Sequence, residues 1–268
     1  MNEIDARMSD LKQRGEKALI PFITAGDPDL DFTSELLDAL GGLATVCELG
    51  IPYSDPVADG PVIQASYARA LAGQVSIDGI TGMMACRPTP APMPVVWMVS
   101  YAIIWRRGME VFVASARAAG VSGLIVPDLL FEESSQLRAI CDRHEMALIQ
   151  LVTPTTSAER ARRIAEVSQG FLYYVSVTGI TGTRDRLPSE IVDNVERIRQ
   201  WSAVPVCVGF GISSPDQAAE VAQCADGVIV GSALVREFEQ MEVDGRKGVM
   251  DRVRQKVQQL ATAINGNR

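Results

Sequence analysis

The sequence predicts an α/β protein folded as a single (β/α)8 (TIM) barrel across residues 1–268, with an extra helix before the first strand. Three observations carry this expectation. Eight short apolar runs alternate with stretches of helical period, the order expected of strand–helix units. Most of the runs are apolar nearly throughout, as parallel strands covered on both faces are. A length of 268 residues also suits one barrel better than two small domains. An open doubly wound sheet is the alternative architecture, weakened because no Gly-x-Gly-x-x-Gly follows the first strand.

Taken in order, the N-terminal helix is expected from about Glu3 to Arg14. Strands are expected at Ala18–Thr24, Val46–Gly50, Val95–Tyr101, Gly123–Pro127, Ala147–Val152, Phe171–Ser176, Pro205–Gly209 and Gly227–Gly231. Helical periods fall between them at Phe32–Leu40, Met109–Ala119, Glu132–His144, Ala158–Val167, Pro188–Trp201 and Pro215–Gln223. The long interval from Gly50 to Val95 holds a loop and further helical patterns.

Composition narrows the function. A hydrophobic content of 47% supplies a substantial core, and a net charge of −8 argues against a nucleic-acid partner, which would need a basic stripe. Five cysteines are dispersed without a Cys-x-x-Cys pair, three of them in predicted strands or helices among apolar residues as reduced core cysteines are, and the charged N-terminus has no apolar signal core. The longest uncharged stretch, between Arg87 and Arg106, carries four prolines and reads as a loop and a buried strand rather than a membrane span. A cytoplasmic protein with no membrane contact is expected.

Chemistry concentrates at the strand ends, where barrels keep their active sites. Glu48 lies within an apolar strand on the same face as Val46; inside a barrel, a carboxylate there is costly without a task or a partner. Asp59 follows eleven positions later in an Asp-Gly turn and can fold back over the strand end. Two such carboxylates suit proton transfer at two substrate atoms. Three glycine-rich segments after strands six, seven and eight (Thr178–Arg184, Gly209–Ser214 and Gly231–Ala233) suit a phosphate, because backbone amides at helix starts approach anions closely. The single histidine, His144, ends a helical pattern far from the strand mouths and reads as a solvated helix residue. Glu132 and Glu133 read as a helix start, Asp128 as either a cap for that helix or a support of the site. The basic patches Arg160–Arg163 and Arg252–Lys256 read as solvated faces, and Tyr53 and Trp105 as core, rim or partner contacts.

The chain from about Ala18 to Val235 resembles the tryptophan synthase alpha chain family. The resemblance rests on Phe22-Ile-Thr-Ala-Gly-Asp-Pro28, Glu48-Leu-Gly-Ile-Pro52, Ser54-Asp-Pro-Val-Ala-Asp-Gly-Pro61, Pro127-Asp-Leu129, Tyr173-Tyr-Val-Ser176, Gly179-Ile-Thr-Gly182, Gly209-Phe-Gly-Ile-Ser213 and Val230-Gly-Ser-Ala233. It implies retro-aldol cleavage of indole-3-glycerol phosphate to indole and glyceraldehyde 3-phosphate, without metal or cofactor. By the same resemblance Glu48 would move protons at indole C3 and the glycerol hydroxyl, and Asp59 would accept from the indole N–H. Phe22, Tyr101 and Tyr173 match indole-pocket positions, and Thr181 and Gly182 the loop that closes over the ligand. Phe210 matches a substrate-binding position, and Gly211, Ile212, Gly231 and Ser232 the phosphate cradle. A beta chain, in an alpha2-beta2 tetramer, is the implied partner.

The resemblance thins after Tyr101. The family usually has an asparagine there, often followed by proline, in a loop facing its beta chain; here the run is Tyr101-Ala-Ile-Ile-Trp105. A normal alpha subunit, a stand-alone indole-3-glycerol-phosphate lyase and a non-catalytic regulator of a beta chain all remain open on the sequence, with intact Glu48 and Asp59 counting against the last. A sugar-phosphate isomerase on the same fold would leave the Glu48 segment unexplained.

Overall fold

A computed structural model describes residues 2–56, 59–88, 91–175, 189–209 and 211–266. Its eight strands are β1 (Ala18–Thr24), β2 (Cys47–Gly50), β3 (Val95–Met98), β4 (Gly123–Ile125), β5 (Ala147–Val152), β6 (Leu172–Val175), β7 (Val206–Gly209) and β8 (Gly227–Val230). All neighbours pair in parallel, and β8 pairs back onto β1 through Ala18–Pro21 and Gly227–Val230, so the sheet closes. The (β/α)8 barrel expected from the alternation is therefore the fold.

The preceding helix α1 (Glu3–Arg14) has the predicted bounds because its start is written locally. Asn2 caps the Asp5 amide at 2.8 Å, and Asp5 reaches back to the Asn2 amide. Then come α2 (Leu30–Ala39), α3 (Pro61–Ala72) and α4 (Ile77–Ala85), the last two filling the long interval before β3. They are followed by α5 (Tyr101–Arg107), α6 (Met109–Ala118), α7 (Ser135–Arg143), α8 (Ala158–Val167), α9 (Ser189–Trp201), α10 (Pro215–Cys224), α11 (Ser232–Val235) and α12 (Met241–Asn265).

Period-2 alternation sorts the strand residues into two cores. Outward residues such as Leu19, Leu49, Trp97 and Val208 pack beneath the helices. Inward residues, among them Ile20, Val96, Ile149, Phe171 and Ile229, form a separate cluster that Ile4 and Met8 of α1 join from below. That helix is tied to the strand starts by polar contacts: Ser122 Oγ donates to Glu3 at 2.9 Å and the Gly170 amide to Asp5 at 3.2 Å.

Expectations change around the ends of the third and fourth strands. The third strand was expected to run to Tyr101, but it stops at Met98, and Tyr101 opens α5. Ser100 accepts from the Ala102 amide at 3.3 Å, while Asp128 accepts both Ser100 Oγ and the Tyr101 amide at 2.7 Å. Asp128 thus caps α5, not the helix that follows it in sequence. That following segment is also split, into a 3-10 turn at Phe131–Glu133 and α7.

The surface features are more engaged than the sequence suggests. Glu132 holds Arg160 through two bonds of 2.9 and 2.8 Å, Arg163 lies 5.5 Å over the Phe131 ring, and Lys256 meets Glu237 at 2.8 Å. His144 is partly buried against Glu110 at 2.9 Å, on the helical layer. Cys47, Cys141, Cys207 and Cys224 are buried and free, while Cys86 is exposed and free. No described helix is long and apolar enough to cross a membrane.

Candidate active site

The C-terminal end of the barrel differs from the rest of the interior in one residue above all. Glu48 is the central inward residue of β2, paired in register with Phe22 on β1 and Val96 on β3. It is fully buried, and neither carboxylate oxygen has a hydrogen-bond partner among the described residues. Burial, and secondarily the charge of Asp59, pushes its pKa up to about 8. The Asp59 carboxyl, half-buried in the turn ahead of α3, is raised to about 6 by burial. The turn itself is closed by the Asp59 amide on Pro56 O at 3.2 Å and by Gln64 Nε2 on Asp59 O at 2.8 Å.

Aromatic rings wall this pair. Phe22, Ile63, Tyr67 and Val235 form a buried cluster at the mouth, with Tyr53 and Met98 packed on it. Gly50, two residues beyond Glu48 on the same face, has no room for a side chain. A Cβ there would lie 2.4 Å from Phe22 Cζ and 2.7 Å from the Tyr67 hydroxyl. Gly209 does the same for Tyr173, whose ring would meet a Cβ at 2.4 Å. Burial and then the charges of Glu48 and Asp59 hold the Tyr173 hydroxyl well above the usual phenol range, so it stays a proton-bearing group.

The structure therefore brings Phe22, Glu48, Asp59 and Tyr173 together, and Gly231 joins them beside Phe22, 3.4 Å from where its Cβ would stand. Ser232 opens α11 directly after Gly231. Gly211 has φ +29° and is exposed, on the approach to α10, which Ser214 caps by accepting from Gln217. The Ile212 side chain is buried in the outer core, leaving only its backbone for a ligand. The Tyr101 hydroxyl is not turned to the carboxylates; it donates to Met109 Sδ at 3.8 Å, and its ring lies 6.1 Å from that of Trp105. Thr181, Gly182 and Phe210 lie outside the described residues, as does the segment Thr178–Arg184.

Sequence reasoning passed over Ile63, Tyr67 and Val235. The buried positions Ile63, Ser66, Tyr67 and Ala70 repeat at helical spacing, so an explicit helix at Pro61–Ala72 would have revealed an inward face.

A parallel barrel that seats a protonatable glutamate, without a partner among the described residues, beside a second carboxylate at the ends of its strands has the make-up of an enzyme that moves protons. The chain belongs to the tryptophan synthase alpha chain family, whose profile matches residues 8–265. The tryptophan synthase alpha chain of Rhodopirellula baltica is 50% identical over 240 residues, covering 88% of this chain and 86% of that one. That of Geobacter sulfurreducens is 48% identical over 240 residues, covering 89% and 91%. The crystal structure of tryptophan synthase subunit alpha from Legionella pneumophila superposes with a TM-score of 0.89 at 38% identity, over 98% of each chain. Membership makes this chain a lyase of tryptophan biosynthesis that cleaves indole-3-glycerol phosphate.

Proposed function

We propose that the cleavage runs on two carboxylates whose burial has given them different protonation states. The observation that carries this reading is Glu48, fully buried with no hydrogen-bond partner among the described residues and raised by burial to a pKa of about 8, beside an Asp59 raised to about 6. At neutral pH one is an acid and the other an anion. Neutral Glu48 delivers its proton to indole C3, and the Asp59 carboxylate, accepting from the indole N–H, stabilises the cation so formed. Glu48, now a carboxylate, takes the proton of the hydroxyl on the adjoining glycerol carbon. The bond between that carbon and C3 breaks, its electrons return to the ring, and indole and glyceraldehyde 3-phosphate result. Glu48 ends protonated, as it began.

Phe22 and Tyr173 are assigned to the indole pocket, with Tyr101 at its rim. The phosphate is assigned to the amides around Gly211, Ile212, Gly231 and Ser232, at the starts of two helices whose first N–H groups have no intrahelical acceptor. Thr181, Gly182 and Phe210 are assigned to the remaining ligand contacts by the family pattern alone. A beta chain in an alpha2-beta2 assembly is the proposed partner. Exposed Trp105 and Leu130, at 66% and 57%, supply apolar surface beside the mouth for it. A cytoplasmic location fits this role.

The test is indole release from indole-3-glycerol phosphate by the purified chain, alone and with a beta subunit. Equal yields of indole and glyceraldehyde 3-phosphate are expected; absence of indole in both conditions overturns the reading.

A further inference from the structure

One polar group at the mouth has no part in the chemistry above. Tyr67 sits on α3, is only 2% exposed, and its ring belongs to the buried cluster of Phe22, Ile63 and Val235. A buried phenol ordinarily finds a partner. The helix that carries it is pinned on both sides of the tyrosine. Ser66 Oγ lies 2.6 Å from Thr24 Oγ1, and Arg69 holds Asp27 through bonds of 3.0 and 2.7 Å. The ring packs on Tyr53, with centroids 6.2 Å apart. Tyr67 is therefore a fixed donor rather than a mobile side chain.

Its position can be traced from Gly50 and Phe22. The hydroxyl is 2.7 Å from the Cβ position of Gly50, which faces inward two residues beyond Glu48. Two residues of strand advance about 6.5 Å, so the hydroxyl stands above the glutamate on the way out of the barrel. The same Phe22 ring whose tip touches the Gly50 position has its Cβ 3.4 Å from that of Gly231. A substrate reacting at Glu48 with its phosphate near Gly231 must lay the connecting glycerol chain across Phe22, within reach of Tyr67. Burial and the charges of Asp59, Glu48 and Tyr53 keep this phenol protonated, as a donor must be.

We propose that Tyr67 is a substrate-positioning residue whose hydroxyl donates a hydrogen bond to a hydroxyl of the substrate's glycerol chain. This inference rests on the functional reading above, and its test separates the two. Affinities are measured by calorimetry for indole-3-glycerol phosphate and for indole-3-propyl phosphate, which lacks both hydroxyls. Glu48→Gln is the background, so that the substrate is not consumed. Adding Tyr67→Phe keeps the ring and removes one oxygen. It should weaken the glycerol ligand about 3–10-fold, the range of one net hydrogen bond, and leave the propyl ligand within about twofold. Equal losses for both ligands would mean a packing role and overturn the proposal, as would no loss for either. A Tyr67-bearing chain that binds neither ligand overturns the functional reading, and this one with it.

Discussion

The floor and the mouth of this barrel are built from the same strands by the same alternation, yet they are filled on opposite principles. Toward the floor, inward positions such as Ile20, Ala147, Phe171 and Ile229 are apolar and closed from beneath by Ile4 and Met8. At the mouth, the same inward phase delivers Phe22, Glu48 and Tyr173, with a buried carboxyl that has no hydrogen-bond partner among the described residues. An unpaired buried acid costs stability, and a protein retains one where its proton has work. The contrast assigns stability to one end and chemistry to the other.

Converting the mouth toward the floor is the strongest way to break this contrast. Glu48→Gln keeps shape but carries no proton, and turnover should fall about 10²–10⁴-fold with ligand binding retained. Stability should move the other way. Glu48 has a folded pKa of about 8 against 4.5 for the free group, so the folded state holds its proton after the unfolded chain has released it. The native protein therefore loses this contribution to stability as pH rises between those values, and the Gln variant has none of it to lose. The gap, measured by urea unfolding at pH 5 and pH 8.5, should widen by on the order of 2–4 kcal/mol. An unchanged gap would mean that the carboxyl finds a partner in solution.

The reverse change is made at the floor. Phe171→Ala, within the inner cluster, should cost about 3–5 kcal/mol in unfolding free energy through the cavity it leaves. Turnover per folded molecule should stay within about threefold; a loss comparable to that of Glu48→Gln would dissolve the division between the two ends.

A smaller effect sharpens the roles within the mouth. On the proposed mechanism Asp59 acts ionised and Glu48 protonated, so kcat/KM should be bell-shaped, falling below about 6 and above about 8. In Asp59→Asn the residual activity should lose its acid limb. The alkaline limb should move to lower pH, since the Asp59 charge helps to raise Glu48. A profile with both limbs intact would assign the acid limb elsewhere. Least affected should be His144→Gln, on the outer layer, with turnover unchanged and the midpoint of thermal unfolding shifted by no more than about 2 °C.

How much of this was legible depends on how local each signal is. β1, β5, α1 and α8 have the bounds read from sequence because their ends are marked within a few residues, as where Ser157 accepts from the Arg160 amide ahead of α8. Glu48 was legible because a charge in an apolar strand is anomalous anywhere. Tyr101 was misplaced because Val95-Val-Trp-Met-Val-Ser-Tyr reads as strand throughout. The group that ends it, Asp128, arrives 27 residues later. Tyr67 was missed for a related reason. A tyrosine on an apolar helical face reads as core, and only the closed barrel shows that its hydroxyl emerges over Gly50.

The seating of α1 has a consequence for how the chain comes to be folded in a cell. This helix is synthesised ahead of every strand, but one of the amides that holds it belongs to Gly170, 165 residues later. At ordinary elongation rates of about 5–20 residues per second, the helix waits roughly 8–33 s for that anchor to be made. Ile4 and Met8 cannot complete their packing before Phe171, Cys207 and Ile229 are made, so a helix synthesised ahead of the strands it closes is fully seated only after the last of them.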